Sequence, residues 1–487
     1  MLHLPYLHLH RSNDARAPSC VSPSPANTLT DRLNTLLNSS GPGYTLSLCP
    51  SQQYLITAPL LFSAPNQEIS TAGYPTDSTR ATLVVHGPVV NGTGHTTAVD
   101  GTCTKCDGLK LRNVQINGTR LGGPPVLGGA NIEMGGDNAN QLIEYVHSFD
   151  PRGWSCLHVA QGTLQCTNAT IQNNNIGPAG SDKFQQWADG ISVACRNSLI
   201  RNNMINNPTD GAIVLFGAPG SHVENNTIWV ETHTLLGGIN MVDVQPFGGN
   251  YDDVVVTNNL IAGGFASQAP QGNETKGTNN NDVVIKIGIA IGPRTWFGDQ
   301  YSNNVSTGGR VYGNQLTGAF SYGVAVTSAT NFTVENNVLI GNTSFIGSRG
   351  PNCTNNNAIP SPAAFVIDFN NVKKSTTQID FTSVSDGDGL TCVLPPDGGN
   401  YWPFGGSPNA SSSSSSPSTT SSSHSSGGMT AGIVIGAIGA VLFVALITWL
   451  LRRWALKHSQ AARVYPRHPH DSKGYVLQTS NQQLVSA

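Results

Sequence analysis

Aliphatic and polar residues alternate along much of this chain in short stretches that end in Gly or Asn. Stretches such as GISV, GAIV, GIAI and GVAV have the two-residue period of β-strands, and helical periodicity is almost absent. Between them recurs a polar run with an Asn two positions ahead of an aliphatic residue. The recurring aliphatic positions, 29, 23, 33, 55 and 23 residues apart, are Ile176, Ile205, Ile228, Ile261, Leu316 and Leu339.

A repeat of about 20–50 residues is typical of solenoid architectures, in which each unit stacks on its neighbours. We interpret the shortest steps as single units, the longer ones as units with insertions, and the step of 55 as roughly two units. Because each unit is built of short strands, the pattern predicts an all-β fold, a right-handed parallel β-helix. Gly and Asn suit its tight corners, where the backbone needs a positive φ.

The repeated Asn is predicted to be structural. Equivalent residues of stacked coils lie one strand spacing apart, about 4.8 Å. Asn side chains at that spacing can hydrogen-bond along the stack as a ladder. We assign to this ladder the residues with the same offset from the aliphatic position: Asn174, Asn203, Asn226, Asn259, Asn314 and Asn337.

The N-terminal part contains one amphipathic helical pattern, from Ala26 to Asn38. A helix there would cover the first coil, whose strand edges and core are otherwise open. Its apolar face is Leu29, Leu33, Leu36 and Leu37. Strands are predicted at 46–48, 54–57 and 81–86, and the body from about 109 to 372, fading near 393.

Composition changes sharply after the predicted ectodomain, residues 19–404. Residues 405–429 are rich in Ser and Gly and indicate a stalk. Residues 430–451 are apolar and uncharged, long enough for a membrane span. Basic residues follow, which predicts a cytoplasmic tail at 452–487 and a single-pass plasma-membrane protein. Gly432 and Gly436 would allow a weak dimer through the span, and residues 1–18, without a clear signal peptide, are left unassigned.

Charge and cysteine usage narrow the function. Only 11% of residues are charged and the net charge is −3, without a basic stripe, which argues against nucleic acid as a partner. Nine cysteines and many glycosylation sequons favour an oxidising, extracellular setting. An odd number leaves one thiol free or paired between chains. For Cys103 and Cys106 we predict a local disulfide, because no second CxxC completes a metal site.

Two segments carry an aspartate directly before a Gly-aliphatic strand, Asp189 in WADGISV and Asp210 in TDGAIVL. They are 21 residues apart, about one coil, so stacking would place the two carboxylates in register on neighbouring rungs. Carboxylates that close cannot both ionise freely, and a protonated acid beside an ionised base is the pair that glycoside hydrolysis uses. We predict Asp189 and Asp210 as the catalytic pair. The alternative is that each Asp-Gly only forms a corner.

Further polar and aromatic residues lie at similar strand positions on the neighbouring coils. Arg suits a uronate carboxylate, and Trp can stack on sugar rings. Structural roles in the core or in surface ion pairs are the alternative for each of them. The predicted substrate-binding residues are Arg152, Trp154, His158, Trp187, Asn240, Asp243, Lys286 and Arg294.

These residues resemble the pectin-lyase-like superfamily, and in particular fungal secreted proteins with a right-handed β-helix domain, over about residues 26–395. Polygalacturonases of this superfamily carry an NTDG-like Asp, a DD pair one coil later, then GHG and RIK. Asp189 in ADGI resembles the first, Asp210 in TDGA one Asp of the second, and Lys286 in VIKI the last. GGIN stands at the GHG position. The resemblance implies a hydrolase of pectin, uronan or wall glycan that needs no cofactor.

Two other functions stay open at this point. Pectate-lyase members use acidic calcium ligands and a basic residue, which implies Asp150, Asp189 and Asp210 as ligands and Arg152 or Lys286 as base. The layout of ectodomain, stalk, span and short tail also looks like fungal wall-stress sensors and adhesins, which implies a wall-polysaccharide binder without catalysis.

Overall fold

The computed structural model describes residues 20–120, 123–181, 186–264, 283–297, 303–345, 347 and 362–391. A 3₁₀ turn, Ala26–Thr28, leads into helix α1, Leu29–Ser40, and a short helix α2 spans Arg294–Phe297. The first strands are β1 Thr45–Leu48, β2 Gln53–Ile56, β3 Leu60–Leu61, β4 Glu68–Thr71, β5 Ala81–Val85, β6 Val89–Val90, β7 Thr93–Gly94, β8 Val99–Asp100, β9 Lys110–Arg112, β10 Val114–Asn117, β11 Ile132–Gly135 and β12 Leu142–Glu144.

The central strands are β13 His147–Phe149, β14 Ser155–Ala160, β15 Thr170–Gln172, β16 Asn175–Ile176, β17 Asp189–Val193, β18 Leu199–Arg201, β19 Met204–Asn206, β20 Gly211–Leu215, β21 His222–Glu224, β22 Thr227–Trp229, β23 Leu235–Met241 and β24 Val255–Thr257. The last strands are β25 Leu260–Ala262, β26 Ile285–Ile291, β27 Ser306–Thr307, β28 Arg310–Tyr312, β29 Gln315–Val326, β30 Ala329–Thr330, β31 Thr333–Glu335, β32 Val338–Phe345, β33 Phe365–Ile367, β34 Val372–Lys373, β35 Thr376–Thr377 and β36 Thr382–Ser383.

These strands stack in parallel into three long faces. Sheet A runs through β1, β4, β9, β12, β15, β18, β21, β24, β28, β31 and β35. Face B1 runs through β2, β5, β10, β13, β16, β19, β22, β25, β29 and β32. Face B2 runs through β3, β8, β11, β14, β17, β20, β23, β26, β29, β33 and β36. Successive coils add one strand to each face, so the predicted parallel β-helix is confirmed.

Helix α1 covers the first coil, as its leucine pattern predicts. Leu29, Leu33 and Leu37 are buried in the core that fills the coils, and Leu36 packs against its edge. Polar side chains of the helix also satisfy the open strand edge. Thr30 Oγ1 accepts from the Thr57 amide at 2.9 Å, and Asn34 Oδ1 accepts from the Leu61 amide at 2.8 Å. These bonds give both amides a partner on the side of the first coil that has no further strand.

The doubled asparagines divide two tasks between them. The second Asn of each pair is buried in the ladder, and its Nδ2 donates at 2.9 Å to Oδ1 of the next ladder residue, from Asn174 through to Asn337. The same Oδ1 accepts a backbone amide of the coil before it, as in Asn203 N to Asn226 Oδ1 at 3.0 Å. The first Asn turns the corner with a positive φ, 54° at Asn202 and 56° at Asn225. The predicted ladder is confirmed.

The step of 55 residues is a single coil, so its interpretation as two units was wrong. Ile261 pairs directly with Leu316, and the Asn259 amide donates to Asn314 Oδ1 at 3.1 Å. The extra residues lie between the strands of that coil. Because insertions at corners leave the strand register intact, they lengthen the sequence spacing without adding a rung.

Disulfides close three local loops, Cys20–Cys49, Cys103–Cys106 and Cys166–Cys195. The predicted bond between Cys103 and Cys106 is therefore confirmed. Among the described residues Cys156 is a free, buried thiol, and Cys353 and Cys392 lie outside them.

None of the helices within the described ranges is both long and apolar enough to span a bilayer. Several predictions concern residues outside those ranges: the unassigned N-terminus 1–18, the stalk 405–429, the span 430–451 with Gly432 and Gly436, and the tail 452–487.

Candidate functional site

The first residue of β17, Asp189, is the centre of a polar cluster on the outer side of face B2. Its side chain is only 1% exposed. Asp189 Oδ1 accepts from the Gly211 amide at 2.8 Å, and Oδ2 accepts from Ser192 Oγ at 2.9 Å. Ser192 Oγ lies in turn 3.1 Å from Ser155 Oγ on the previous coil. Two donors therefore hold the carboxyl in one orientation.

A small crevice, with room for about one water molecule, lies beside this carboxyl. Acidic and amide side chains from three successive coils line it together with apolar residues. Its lining consists of Asp189, Asp210, Val214, Asn240, Val242, Asp243, Trp296 and Phe297. Both predicted catalytic residues thus border one pocket, with Asp243 as a third acid.

The predicted register of the pair was wrong by one position. Ile191 pairs with Ile213 and Ser192 with Val214. Asp189 therefore stands level with Gly211, and Asp210 comes one residue earlier on the next coil. Both residues are nevertheless among those that line the same pocket.

Glycines on two neighbouring strands leave room for the polar side chains of the pocket. A Cβ added to Gly211 would lie 2.8 Å from Asn240 Nδ2 and 3.1 Å from Asp189 Oδ1. One added to Gly237 would overlap the Asn240 amide. These contacts are closer than carbon and polar atoms pack, so an alanine at either position would displace the site. The Asp-Gly and Gly-Gly pairs therefore do more than turn a corner.

Two oxygens at the pocket have no hydrogen-bond partner among the described residues, Asn240 Oδ1 and Asp243 Oδ2. Asn240 is 2% exposed and Asp243 4% exposed. A buried polar atom without a partner costs about 1–3 kcal/mol, and such atoms concentrate at functional sites. Both oxygens are therefore available to the polar groups of a ligand.

Burial sets the protonation of these acids. It raises the pKa of Asp189 to about 7, while hydrogen bonds from Gly211 and Ser192, and the charge of a protonated His158, lower it. Burial raises the pKa of Asp243 well above its usual range, and the nearby Asp189 charge raises it further. Near neutral pH the pocket therefore holds carboxyls that can still give up a proton, as a general acid must.

The raised pKa of Asp189 predicts a specific dependence of stability on pH. In the unfolded chain this carboxyl ionises near pH 4, whereas in the folded protein it keeps its proton to about pH 7. The folded state then binds more protons, so its free energy of unfolding falls as the pH rises between those values, by up to about 4 kcal/mol. Urea unfolding of wild type and Asp189→Asn at pH 4.5 and 7.5 measures this. We expect the variant to lose less stability, and equal losses would contradict the assignment.

His158 on β14 forms a second acid–base pair next to this cluster. Its Nδ1 lies 2.7 Å from Glu133 Oε2, with side chains 12% and 16% exposed. The Trp154 ring packs edge-on against the imidazole at 5.0 Å. Strand pairing places Glu133, His158 and Ser192 at equivalent positions of successive coils. The pair therefore borders the Asp189 cluster from the side of the preceding coils.

Arg152 and Arg294, which were predicted to bind substrate, are not among the lining residues. Arg152 donates through Nη1 to the Gly87 and His95 carbonyls and through Nε to Thr119 Oγ1. Arg294 on α2 forms a two-pronged ion pair with Asp388, at 2.6 and 2.7 Å.

Trp187 and Lys286 are buried. Trp187 packs in the apolar cluster outside face B2, with Trp296 and Phe297. Lys286 is 1% exposed on β26. Asp150 lies at a corner, where burial raises its pKa and the Arg120 charge lowers it.

Within the described ranges, no group of three or more His, Cys, Asp or Glu residues could hold a metal ion. Asp150, Asp189 and Asp210 are accordingly not gathered around one point.

Sequence reasoning missed Glu133, Ser192, Trp296 and Phe297. Glu133 lies 25 residues before His158 in a segment without the Asn repeat, so its register had no signal. Ser192 was visible as the residue three positions after Asp189, inside GISV. Trp296 and Phe297 follow Arg294 on α2, and only the folding of that segment over face B2 brings them to the pocket.

Residues 153–292 match the family described as right handed beta helix region. Similar solved structures include DFA-IIIase from Arthrobacter chlorophenolicus A6 in complex with DFA-III, at 13% identity over 72% of this chain and 89% of that chain, TM-score 0.45. The A-module of mannuronan C-5 epimerase AlgE6 from Azotobacter vinelandii is similar at 12% identity over 72% of this chain and 94% of that chain, with a TM-score of 0.37. Endo-xylogalacturonan hydrolase from Aspergillus tubingensis is similar at 12% identity over 74% of this chain and 90% of that chain, with a TM-score of 0.33.

No curated protein sequence matches this chain. The family match covers the three strands next to the pocket acids. Strand β17 begins with Asp189, β20 begins directly after Asp210, and β23 ends shortly before Asp243. Taken with the parallel coils, it identifies the described part of this chain as a right-handed parallel β-helix.

Proposed function

We propose that this protein cleaves a polysaccharide by hydrolysis, with Asp189 as the proton donor and Asp210 as its partner base. The observation that carries the proposal is the pocket in which Asp189, held by two hydrogen bonds and with a pKa of about 7, meets Asp210. Glycoside hydrolysis needs one carboxylic acid and one carboxylate across the scissile bond. The raised pKa of Asp189 suits this residue to the role of the acid.

The reaction then proceeds with two proton transfers. The Asp189 carboxyl donates its proton to the glycosidic oxygen as the bond from that oxygen to the anomeric carbon breaks. The Asp210 carboxylate takes a proton from the water that adds to the anomeric carbon, so the product carries a new hydroxyl. Asn240 and Asp243 offer their unpaired oxygens to the hydroxyls of the sugar.

The surface next to the pocket suits the rest of the chain of sugars. Trp154 lies partly exposed against His158, and the imidazole is fixed by Glu133. Aromatic faces stack on the C–H faces of sugars, while a fixed imidazole can hydrogen-bond a hydroxyl. The row of coils continues this surface in both directions, which fits an extended polymer.

The position of Arg152 favours hydrolysis over elimination. A lyase needs a base at the carbon that loses its proton, and of the two residues predicted for this role, Arg152 and Lys286, Arg152 donates instead to two backbone carbonyls and to Thr119. An arginine bound in that way is not placed to accept a proton.

The test is product release by the full-length chain on pectins, uronans, fungal wall glucans and other neutral glycans. New reducing ends without unsaturation would support hydrolysis, and unsaturated ends would replace it by elimination. Retention on a polymer without turnover would contradict catalysis and favour the wall-binding role. The anomeric configuration of the first product would separate retention from inversion.

A further inference from the structure

The pocket beside Asp189 is closed to a sugar in this structure. Its room is that of about one water molecule, far less than a sugar ring fills. The three acids that line it are buried, Asp189 at 1% exposure and Asp210 and Asp243 at 4% each. Because the proposed hydrolysis brings a glycosidic oxygen into contact with Asp189, one wall of the pocket has to move before the substrate can bind.

The walls of the pocket differ in how they are built. Among the described residues that line it, six lie on β17, β20 and β23 or within two residues of these strands. Backbone pairing with the coils on either side fixes the three strands. The other two lining residues, Trp296 and Phe297, belong to the four-residue helix α2. Helix α2 is therefore the wall that can move while the stacked strands stay paired.

A strap formed by residues 384–391 holds α2 in place. Asp388 accepts from Arg294 Nε at 2.6 Å and from Nη2 at 2.7 Å, and the two side chains are 24% and 23% exposed. The Gly389 amide donates to the Arg294 carbonyl at 2.8 Å. Leu390 packs in the same apolar cluster as the aromatic residues of α2. The ion pair is the part of this hold that water reaches, and water weakens such pairs because it replaces their partners.

Gly292 provides a pivot where the chain leaves β26 for α2. Its φ is 91°, and a Cβ at this position would overlap the Thr327 carbonyl oxygen. Its amide donates to the Met241 carbonyl at 3.0 Å, so the strand side of the pivot is anchored on the previous coil. Glycine adopts such a conformation without strain, and hinges are commonly small residues at the ends of elements. Rotation at this point would swing α2 while β26 stays in place.

We propose that α2 is a lid over the pocket, latched to the strap by the Arg294–Asp388 ion pair, and that it turns about Gly292 to admit the substrate. The inference rests on the proposed function, because it names the step by which a sugar reaches the buried acids. The closed state is favoured, since Trp296 and Phe297 are 2% and 7% exposed and would meet water in the open state. A substrate that binds only the open state has an apparent affinity reduced by the fraction of open protein.

Thiol labelling measures the opening without any turnover. Val214→Cys places a thiol in the pocket lining, and Val338→Cys places one at an exposed position of β32. Methyl methanethiosulfonate, which is larger than a water molecule, is added to each full-length variant near neutral pH, and mass spectrometry follows the labelled peptide. We expect the pocket thiol to react at least about tenfold more slowly, since only the open state exposes it. Equal rates would show that the pocket is already open and would overturn the inference.

Breaking the latch should speed the labelling. With Asp388→Ala added to Val214→Cys, we expect the pocket thiol to react at least about threefold faster, because the closed state loses its ion pair. Asp31→Ala is the matched control, because Asp31 is exposed on α1 at the first coil. An unchanged rate in an Asp388→Ala variant that is folded by circular dichroism would overturn the inference. Should Val214→Cys fail to fold, Val242→Cys supplies another lining thiol.

Activity then separates this inference from the proposed hydrolysis. On any polymer that the wild type cleaves, Asp388→Ala alone should raise kcat/KM at least about threefold, because more of the protein is open to substrate. An unchanged or lower kcat/KM together with faster labelling would show that α2 does not admit the substrate, and would overturn the inference. The expected labelling without turnover on any polymer would defeat the proposed hydrolysis and leave the lid standing.

Discussion

Asp189→Asn is expected to lower kcat for glycan cleavage by about 10²–10⁴-fold, the usual contribution of a general acid. The substitution removes the transferable proton while it keeps the shape of the side chain. Asn Oδ1 can still accept from the Gly211 amide, and Nδ2 can donate to Ser192 Oγ, so the local bonds are preserved. The loss therefore reports on chemistry, measured as product release under saturating substrate.

Asp210→Asn should cause a loss of the same order, and the double variant should be little worse than either single one, because an acid and a base that act together are not additive. The matched control is Asp253→Asn. Asp253 is exposed at a corner with a φ of 58°, a conformation that Asn also adopts readily. Full activity of Asp189→Asn would exclude this carboxyl as the proton donor.

The second large effect concerns the Asn ladder. Asn226→Ala is expected to lower the free energy of unfolding by several kcal/mol. Asn226 Nδ2 donates to the Ile200 carbonyl and to Asn259 Oδ1, and its Oδ1 accepts from the Asn203 amide and side chain. Alanine leaves these groups buried without a partner, at about 1–3 kcal/mol each where no water replaces the bond. Urea unfolding followed by circular dichroism measures the loss.

Asn175→Ala provides the comparison for this prediction. Asn175 is on β16, one coil before the RNNMI segment, but its side chain is exposed. An exposed side chain outside any buried network changes stability by about 0.5 kcal/mol or less. A small loss of unfolding free energy in both variants would show that the ladder aligns the coils but adds little to stability.

The fold could be predicted in detail where one physical rule repeats. Each coil must bury an aliphatic residue at the same place and satisfy the same corner, so the Asn-Asn-X-aliphatic pattern marks the rungs. The predicted cap succeeded for a similar reason, because the leucines of α1 follow the helical period and have only the open first coil to cover. The number of coils was wrong only at the spacing of 55 residues, where a long insertion within one coil gives the spacing expected of two coils.

The site was predictable only in part. Asp189 and Asp210 could be singled out because each precedes a Gly-aliphatic strand about one coil apart, and both do line one pocket. Their diagonal offset was not visible, since a shift of one residue within a strand leaves the repeat spacing almost unchanged. Glu133 escaped notice because its segment lacks the Asn repeat, so nothing in the sequence sets its register against His158 on the next coil.

The sequence by itself determined the coil, its cap, its ladder and the carboxylates at the mouth of face B2, because these depend on residues at repeated or nearly repeated spacings. The tertiary structure alone decided what surrounds those carboxylates. It brought Trp296 and Phe297 from α2 to the pocket and directed Arg294 to Asp388 and Arg152 to backbone carbonyls. Such contacts join residues far apart in the chain, and neither their geometry nor the burial that raises the pKa of Asp189 leaves a periodic trace in the sequence.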